Sequence, residues 1–465
     1  MIRPALTLLT TLLLAGCASF SPDGGFGAVE QLTKERTGQQ TAWQRGDAPS
    51  SATRVRIAEL LKAPLTADSA VQIALLNNRT LQAGYAELGI AEADLVRAGR
   101  LANPSLSFGR LSGGGAVEID RAVIFDVLGL FTMPLAREAE QQRFAQAQLQ
   151  AAYETVGVAA QARRAFFEAV AAQQLVGYFG QVKEAADASN ELARRMVLAG
   201  NFSKLAQMRE QSFYSDATTN LARARHQAVA AREALVRALG LSGEQLAFTL
   251  PDRLPDLPTA PAEPQNAEQT AMDKRLDVLM ARRATEATAK SLGLTKATRF
   301  INVLHAGYQN QSATGEARRN GYEIELELPL FDFGTARLAR AEAVYMQAVH
   351  RTAAIAVQAQ SEVRESYSAY RTAYDVARHY RDEMVPLRKR ISEENLLRYN
   401  GMLASVFELL ADSRDQITAV TGSVEALRDY WLAETNLQTA LTGRSPEGGS
   451  VAAARTSAAP REAGH

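Results

Sequence analysis

Cysteine is almost missing: Cys17 is the only one in 465 residues. No intramolecular disulfide can staple the fold, and no pair of cysteines can clip a metal. Histidine is sparse too. His226, His305, His350 and His379 are scattered, and only His379 with Glu383 shows a helical i,i+4 spacing, one that exposed side chains commonly share. No catalytic constellation emerges, so neither enzymatic activity, a metal site nor a cofactor is expected. Charge of either sign is not in excess, with 51 Lys plus Arg against 51 Asp plus Glu, which removes the electrostatic argument for nucleic acid. Aromatic residues make up only 7%, while Ala, Arg, Glu, Gln and Leu fill the long middle segments and favour long helices. Beyond the N-terminus no apolar run reaches about twenty residues, the length of a membrane helix, so any crossing of a bilayer falls to strands.

Residues 1–16 carry Arg3 and an apolar run, and end in Leu14-Ala15-Gly16 before Cys17, the pattern of a signal peptide. The ending resembles a bacterial lipobox. That resemblance implies cleavage before Cys17, lipid (palmitate) attachment at Cys17 and, because Ala18 follows, retention at the outer membrane. Residues 17–65 form a lipidated leader and periplasmic segment, and residues 20–51, rich in Gly, Pro, Ser, Gln and Asp, are expected to be extended.

The rest of the chain reads as one plan used twice. In residues 66–240, a helix or helix pair over 67–100 is stopped by Asn103-Pro104. A strand from Pro104 and a strand over 117–128 then flank Gly113-Gly114-Gly115, which lacks the Lys-Ser or Lys-Thr of a phosphate loop and is a loop tip. Beyond Pro134 a long helix is predicted. Phe144, Ala151, Val158, Ala165, Ala172 and Phe179 recur every seven residues, with Thr155, Ala162, Ala169 and Val176 offset by four, a coiled-coil seam of small residues. Gly200-Asn201 turns the chain into a returning helix. Residues 241–269, with five prolines, form a connector. Residues 270–442 repeat the plan: helix, strands near 299–309 and 322–330, and a long helix seamed by Val349, Ala356, Val363, Tyr370, Ala377 and Met384. Pro386 should kink that helix, and Asn400-Gly401 ends it before the last return. Gly200 matches Gly401. Residues 443–465 are expected to be disordered.

In the second strand of the second repeat, Tyr322, Ile324, Leu326, Leu328 and Leu330 alternate with Glu323, Glu325 and Glu327, so one face is apolar and the other acidic. The earlier strand alternates likewise, Val117, Ile119, Val123, Phe125 and Val127 against Glu118, Asp120 and Asp126. Arg121 alone breaks the apolar parity.

This order resembles the TolC family of outer-membrane efflux ducts over nearly the whole mature chain. The resemblance is carried by Leu101-Ala102-Asn103-Pro104-Ser105-Leu106, by Leu328-Pro329-Leu330-Phe331-Asp332-Phe333-Gly334, by Leu198-Ala199-Gly200-Asn201-Phe202-Ser203, and by Tyr399-Asn400-Gly401 with Phe407-Glu408-Leu409-Leu410. It implies a mostly α fold with a small β part. Long helices would form a coiled-coil α-barrel through the periplasm, and four strands per protomer would enter one trimeric 12-stranded barrel. It also implies a homotrimer in outer-membrane lipid that works with a periplasmic adaptor and an inner-membrane transporter, the resistance–nodulation–division (RND) type among them. A periplasmic coiled-coil adaptor or a structural lipoprotein is the competing reading.

Three sets of site residues follow. Glu118, Asp120, Asp126, Glu323, Glu325 and Glu327 would face the lumen, either as an anionic wall that attracts cations, a slight pointer to metal-ion export, or as ordinary solvated positions. Arg398, Tyr399, Glu408 and Asp412, with Asp415, would close the periplasmic aperture by charge, or Phe407 and Leu410 by an apolar constriction. The turns at Gly200, Asn201, Asn400 and Gly401 are the expected adaptor-docking tips.

Overall fold

The computed structural model describes residues 19–46, 50–300, 303–327, 331, 333–404 and 406–445, leaving out the side chains of Val406, Phe407 and Leu410. Cys17, the signal segment, Leu328, Leu330, Asp332 and residues 446–465 therefore lie outside the described residues.

Two short helices, α1 (Phe26–Thr37) and α2 (Ser51–Leu60), precede the first repeat. It runs α3 (Ala67–Asn77), α4 (Arg79–Ala98), β1 (Ser105–Gly113), β2 (Ala116–Asp126), α5 (Val127–Leu198) and α6 (Lys204–Leu239). The second repeats that order as α7 (Ala267–Lys274), α8 (Leu276–Ala297), β3 (Leu304–Ala313), β4 (Arg319–Leu326), α9 (Thr335–His379), a π-helical turn (Tyr380–Met384), α10 (Val385–Asn400) and α11 (Val406–Thr442). The strands make one antiparallel sheet in the order β1-β2-β3-β4. The chain is thus mostly α with a small β part and internally duplicated.

Several expectations change in detail. The segment expected to be extended contains α1, whose start is fixed by Asp23: its carboxylate accepts from the Gly25 N–H at 3.1 Å and the Gly27 N–H at 2.8 Å. The Gly27 bond, then that of Gly25, lowers the Asp23 pKa. Helix α5 begins at Val127, seven residues before Pro134, because Asp126 caps it by accepting the Gly129 N–H at 2.8 Å. At Pro386 the long helix does not simply break. The π-turn lies just upstream, and the wider turn relieves the clash of a proline ring with the preceding turn.

Contacts divide the chain into two compact units that cut across the repeats. The first comprises the chain up to Leu32, Gln82–Ala152 and Leu276–Val357, and so holds the whole sheet. There the N-terminal segment packs on α5. Gly25 (φ +73°) lies against Phe144, its carbonyl accepts from Gln148 Nε2 at 3.0 Å, and Phe26 meets Tyr85 edge-on at 4.9 Å.

The second unit comprises Thr33–Leu81, Tyr153–Arg275 and the chain from Gln358. Its core is the predicted small-residue seam: Thr155, Ala162, Ala165, Ala169 and Ala172 are buried with Ile73, Phe166, Leu235 and Leu239. A second cluster gathers Val363, Tyr370, Tyr374, Ala377 and Tyr430. The proline-rich connector has little regular structure, one 3-10 turn at Gly243–Leu246 apart, but is strapped to this core. Trp431 Nε1 donates to Pro255 O at 3.1 Å, Tyr374 Oη to Thr259 O at 2.8 Å, and the Ala262 N–H to Tyr370 Oη at 2.7 Å.

Helix ends here are capped by distant side chains. Asn77 and Asn78 donate to the carbonyls of Gly240 and Ala238, at 2.7 and 3.1 Å, at the end of α6. Arg36 does the same for α11 and α7 through Thr442 O and Lys274 O. Gly443, Arg444 and Ser445, the first residues of the segment expected to be disordered, are ordered. Arg444 stacks over Tyr153 at 4.5 Å, and the buried Ser445 hydroxyl donates to Glu362 at 2.9 Å.

Candidate functional site

The strands are 9, 11, 10 and 8 residues long, about the 9–11 residues of a tilted spanning strand. Directly paired residues share a face of the sheet, so the register assigns every side chain. One face carries a row of Leu106, Val123, Tyr308 and Tyr322, with Phe125, Ala306 and Ile324 next, and Leu304 opposite Leu326 at the helix end. Leu106, Phe125, Tyr308, Tyr322, Ile324 and Leu326 are exposed in the single chain, Tyr322 by 84% and Leu106 by 78%, while Val123, Leu304 and Ala306 are half-buried. Covering Leu106, Phe125, Tyr322, Ile324 and Leu326, together with Phe108, which lies on the same face opposite Arg121, gains about 1.5–3 kcal/mol each, on the order of 10 kcal/mol per chain.

The opposite face carries Glu118, Asp120, Asp126, Glu323 and Glu325, which the pairing sets on one side with Gln309, Gln311 and His305. Glu325 pairs with His305 Nδ1 at 3.0 Å, and Glu323 accepts from Gln309 Nε2. One carboxylate oxygen of Asp120 is buried without a hydrogen-bond partner among the described residues. Asp126 shares the face, but its carboxylate is committed to the start of α5. Glu327 lies just past the end of β4 and donates its N–H to Val303 O at 3.3 Å. Leu111 and Ile124 fall on this acidic face, so it is not wholly polar.

Arg121 is on the apolar face, as its parity requires, and the register around it is continuous. Its Nη1 donates to Asn310 Oδ1 at 2.9 Å, and Asn310 Nδ2 to Asn320 Oδ1 at 2.6 Å. Sequence alternation alone does not reveal this polar row; Asn310 and Asn320 stand beside Arg121 only through the strand register.

The helical turns lie in the second unit. At the first, Gly200 is left-handed (φ +76°), and the bonds Gly200 N–H to Val197 O and Asn201 N–H to Met196 O close a Schellman motif. At the second, the same two bonds run from Met402 to Tyr399 O and from Leu403 to Arg398 O. The left-handed residue is Met402 (φ +59°), while Gly401 has φ −84°. The match of Gly200 to Gly401 is therefore corrected by one residue, and Met402 and Leu403, 93% and 73% exposed, form the tip.

Just beyond the tip, Asp412 accepts from Asn395 Nδ2 and Asp415 pairs with Arg388 at 2.8 Å, tying α11 to α10. Arg398, Tyr399 and Glu408 are exposed. The side chains of Phe407 and Leu410 lie outside the described residues. Among the described residues no group of three or more His, Cys, Asp or Glu is placed to hold a metal, and no helix is long and apolar enough to cross a membrane.

Four antiparallel strands between duplicated long helices give this chain the fold of TolC-type outer-membrane efflux channels. Among solved structures, a membrane protein from Pseudomonas aeruginosa superposes with a TM-score of 0.70 at 18% identity, over 86% of this chain and 99% of its own. CusC, described in terms of folding and transmembrane channel formation, gives 0.68 and 18% over the same shares. The outer-membrane channel MtrE of Neisseria gonorrhoeae, in its open state, gives 0.68 and 16% over 80% of this chain and 88% of its own. No protein-family model and no curated protein sequence matches the chain.

Proposed function

We propose that the chain is one protomer of a passive outer-membrane exit duct. The observation that carries this is the two-faced sheet: apolar on one side, acidic on the other, with β1 and β4 each at an edge. Open strand edges are not tolerated in lipid. Three copies would close one 12-stranded barrel, with the apolar rows on lipid and the carboxylates on a water-filled lumen. The likeness in fold to outer-membrane channels supports the same reading.

In this proposal the duct hydrolyses nothing. A periplasmic adaptor docks at the helical turns, around Gly200-Asn201 and Asn400 to Leu403, an inner-membrane pump supplies the energy, and lipid on Cys17 anchors the chain. Charge closes the aperture near Arg398, Tyr399, Glu408 and Asp412, or the apolar Phe407 and Leu410 do. The test is purification of the full chain in detergent and its reconstitution in planar bilayers. A heat-modifiable trimer band and stepwise single-channel currents are expected. A monomer that yields no current steps would overturn the proposal.

A further inference from the structure

On the apolar face, the rows change character toward the hairpin tips. Past Tyr308 and Tyr322, which are directly paired, come Phe108, Arg121, Asn310 and Asn320, and past them Arg110, Ile119 and Ser312. From Leu326 to Tyr322 the apolar band runs four residues, about 13 Å along the described strand. Paired tyrosines at the end of such a band are where amphipathic rings meet the membrane interface. Arg110 on β1 is diagonal to Arg121 on β2, since Arg110 pairs with Ile119 and Phe108 with Arg121; such diagonal neighbours sit about 7–8 Å apart. Arg110 is exposed and neither arginine forms an ion pair among the described residues. Arg121 is held by Asn310, which Asn320 holds in turn.

Two guanidinium groups on the lipid side of a barrel, without a carboxylate between them, call for an anion from outside the protein. Arginine grips phosphate through paired N–H donors, and the amides and the Ser312 hydroxyl add neutral donors beside it. Resting on the outer-membrane reading above, we infer that Arg110 and Arg121, positioned by Asn310 and Asn320, bind the phosphate of a phosphorylated glycolipid headgroup in the outer leaflet. The occupant is a lipid because the same face continues, without a break, into the apolar rows that its acyl chains would cover.

The experiment incubates the full-length trimer in detergent with diphosphoryl lipid A, and separately with dephosphorylated lipid A or inorganic phosphate, and reads retained ligand by native mass spectrometry. Wild type should retain the diphosphoryl form, and the Arg110→Gln/Arg121→Gln variant should bind it about tenfold more weakly. The Lys/Lys variant should recover part of that loss, because lysine keeps the charge without the fork. Arg110→Gln alone serves if the double variant does not assemble. Equal retention by wild type and variant, or equal retention of the dephosphorylated lipid, overturns the inference. Retention of inorganic phosphate as strong as that of the lipid also overturns it, since the site would then be a free-anion site. Single-channel currents from the same preparations separate the two readings: currents without phosphate-dependent retention sink only this inference, and absence of currents sinks the duct and this inference with it.

Discussion

Met402 stands in the second helical turn at the backbone position that Gly200 holds in the first. Both are left-handed, at φ +59° and +76°, and both donate into the same pair of carbonyl bonds. A side chain in that conformation costs about 1–2 kcal/mol, and the Met402 side chain is almost fully exposed, with little packing to offset it.

Met402→Gly is therefore expected to stabilise the second turn by about 1 kcal/mol, and Gly200→Ala to destabilise the first by a similar amount. Thermal unfolding of the detergent-solubilised protein checks both. Equal melting temperatures for Met402→Gly and wild type would show that the left-handed Met402 carries no net strain.

Much of this fold is legible from spacing. The alternation at Tyr322 to Leu326 and at Val117 to Phe125 sorts the sheet's faces because the period of two is a local property, and the heptads through Ala162 and Ala169 mark the buried seam. Gly401 misleads because a glycine beside the true left-handed position is the natural choice, and only the bonds from Met402 and Leu403 reveal the register. Helix α1 escapes notice among glycines because its capping residue, Asp23, satisfies Gly25 and Gly27 over a few residues without any apolar period. Ordering of Arg444 and Ser445 depends on Tyr153 and Glu362, hundreds of residues or tens of residues away, and leaves no local trace. Arg121 looks like an error in sequence and becomes a polar row once Asn310 and Asn320 lie beside it.

Arg275 is 1% exposed and pairs with Glu362, which also accepts from Ser445 and Gln358. Burial pushes the Glu362 carboxyl up, but the bonds from Arg275 and Gln358 outweigh it and the net pKa is lowered. A carboxylate with a depressed folded pKa contributes stability above its unfolded value and loses it as pH falls through the folded one. Arg275→Ala leaves that half-buried charge unpaired and is expected to cost about 3 kcal/mol at neutral pH. Urea unfolding followed across acidic pH should show the wild-type advantage shrinking below about pH 4, the unfolded carboxylate range. An advantage that stays constant with pH would mean that packing of the Arg275 stem, not the ion pair, sets the loss.

Glu434 on α11 behaves oppositely. Burial raises its pKa, and the nearby Arg163 and the bond from Gln438 offset this only in part. The folded protein then holds the proton more tightly than the unfolded chain, so stability falls as pH rises from the unfolded value through the raised one. Glu434→Gln should raise the melting temperature at pH 7 and flatten that slope, with little change near pH 4. A variant whose melting curve tracks wild type at every pH would show that Glu434 is solvated in the assembled protein.

The acidic face makes the most direct prediction about conduction. Glu118, Asp120, Glu323 and Glu325 share one side of the sheet, and three copies would surround the lumen with twelve carboxylates, set in same-strand pairs two residues or about 7 Å apart, within a Debye length at physiological salt. Glu323 and Glu325 are hydrogen-bonded to Gln309 and His305, so they hold their places, and among the described residues Asp120 keeps a buried oxygen unsatisfied. Changing Glu118, Glu323 and Glu325 to Gln and Asp120 to Asn together should lower the cation-over-anion permeability ratio, measured as a reversal potential in a salt gradient, more at low salt than at high. Asp126 separates lumen charge from structure. Asp126→Asn keeps the cap on α5, since asparagine caps as well as aspartate, and should change selectivity little, whereas Asp126→Ala should cost about 1 kcal/mol of stability. An unchanged reversal potential in the fourfold variant, with trimers and currents intact, would assign these carboxylates to solvation of a polar wall and remove the pointer toward cationic cargo.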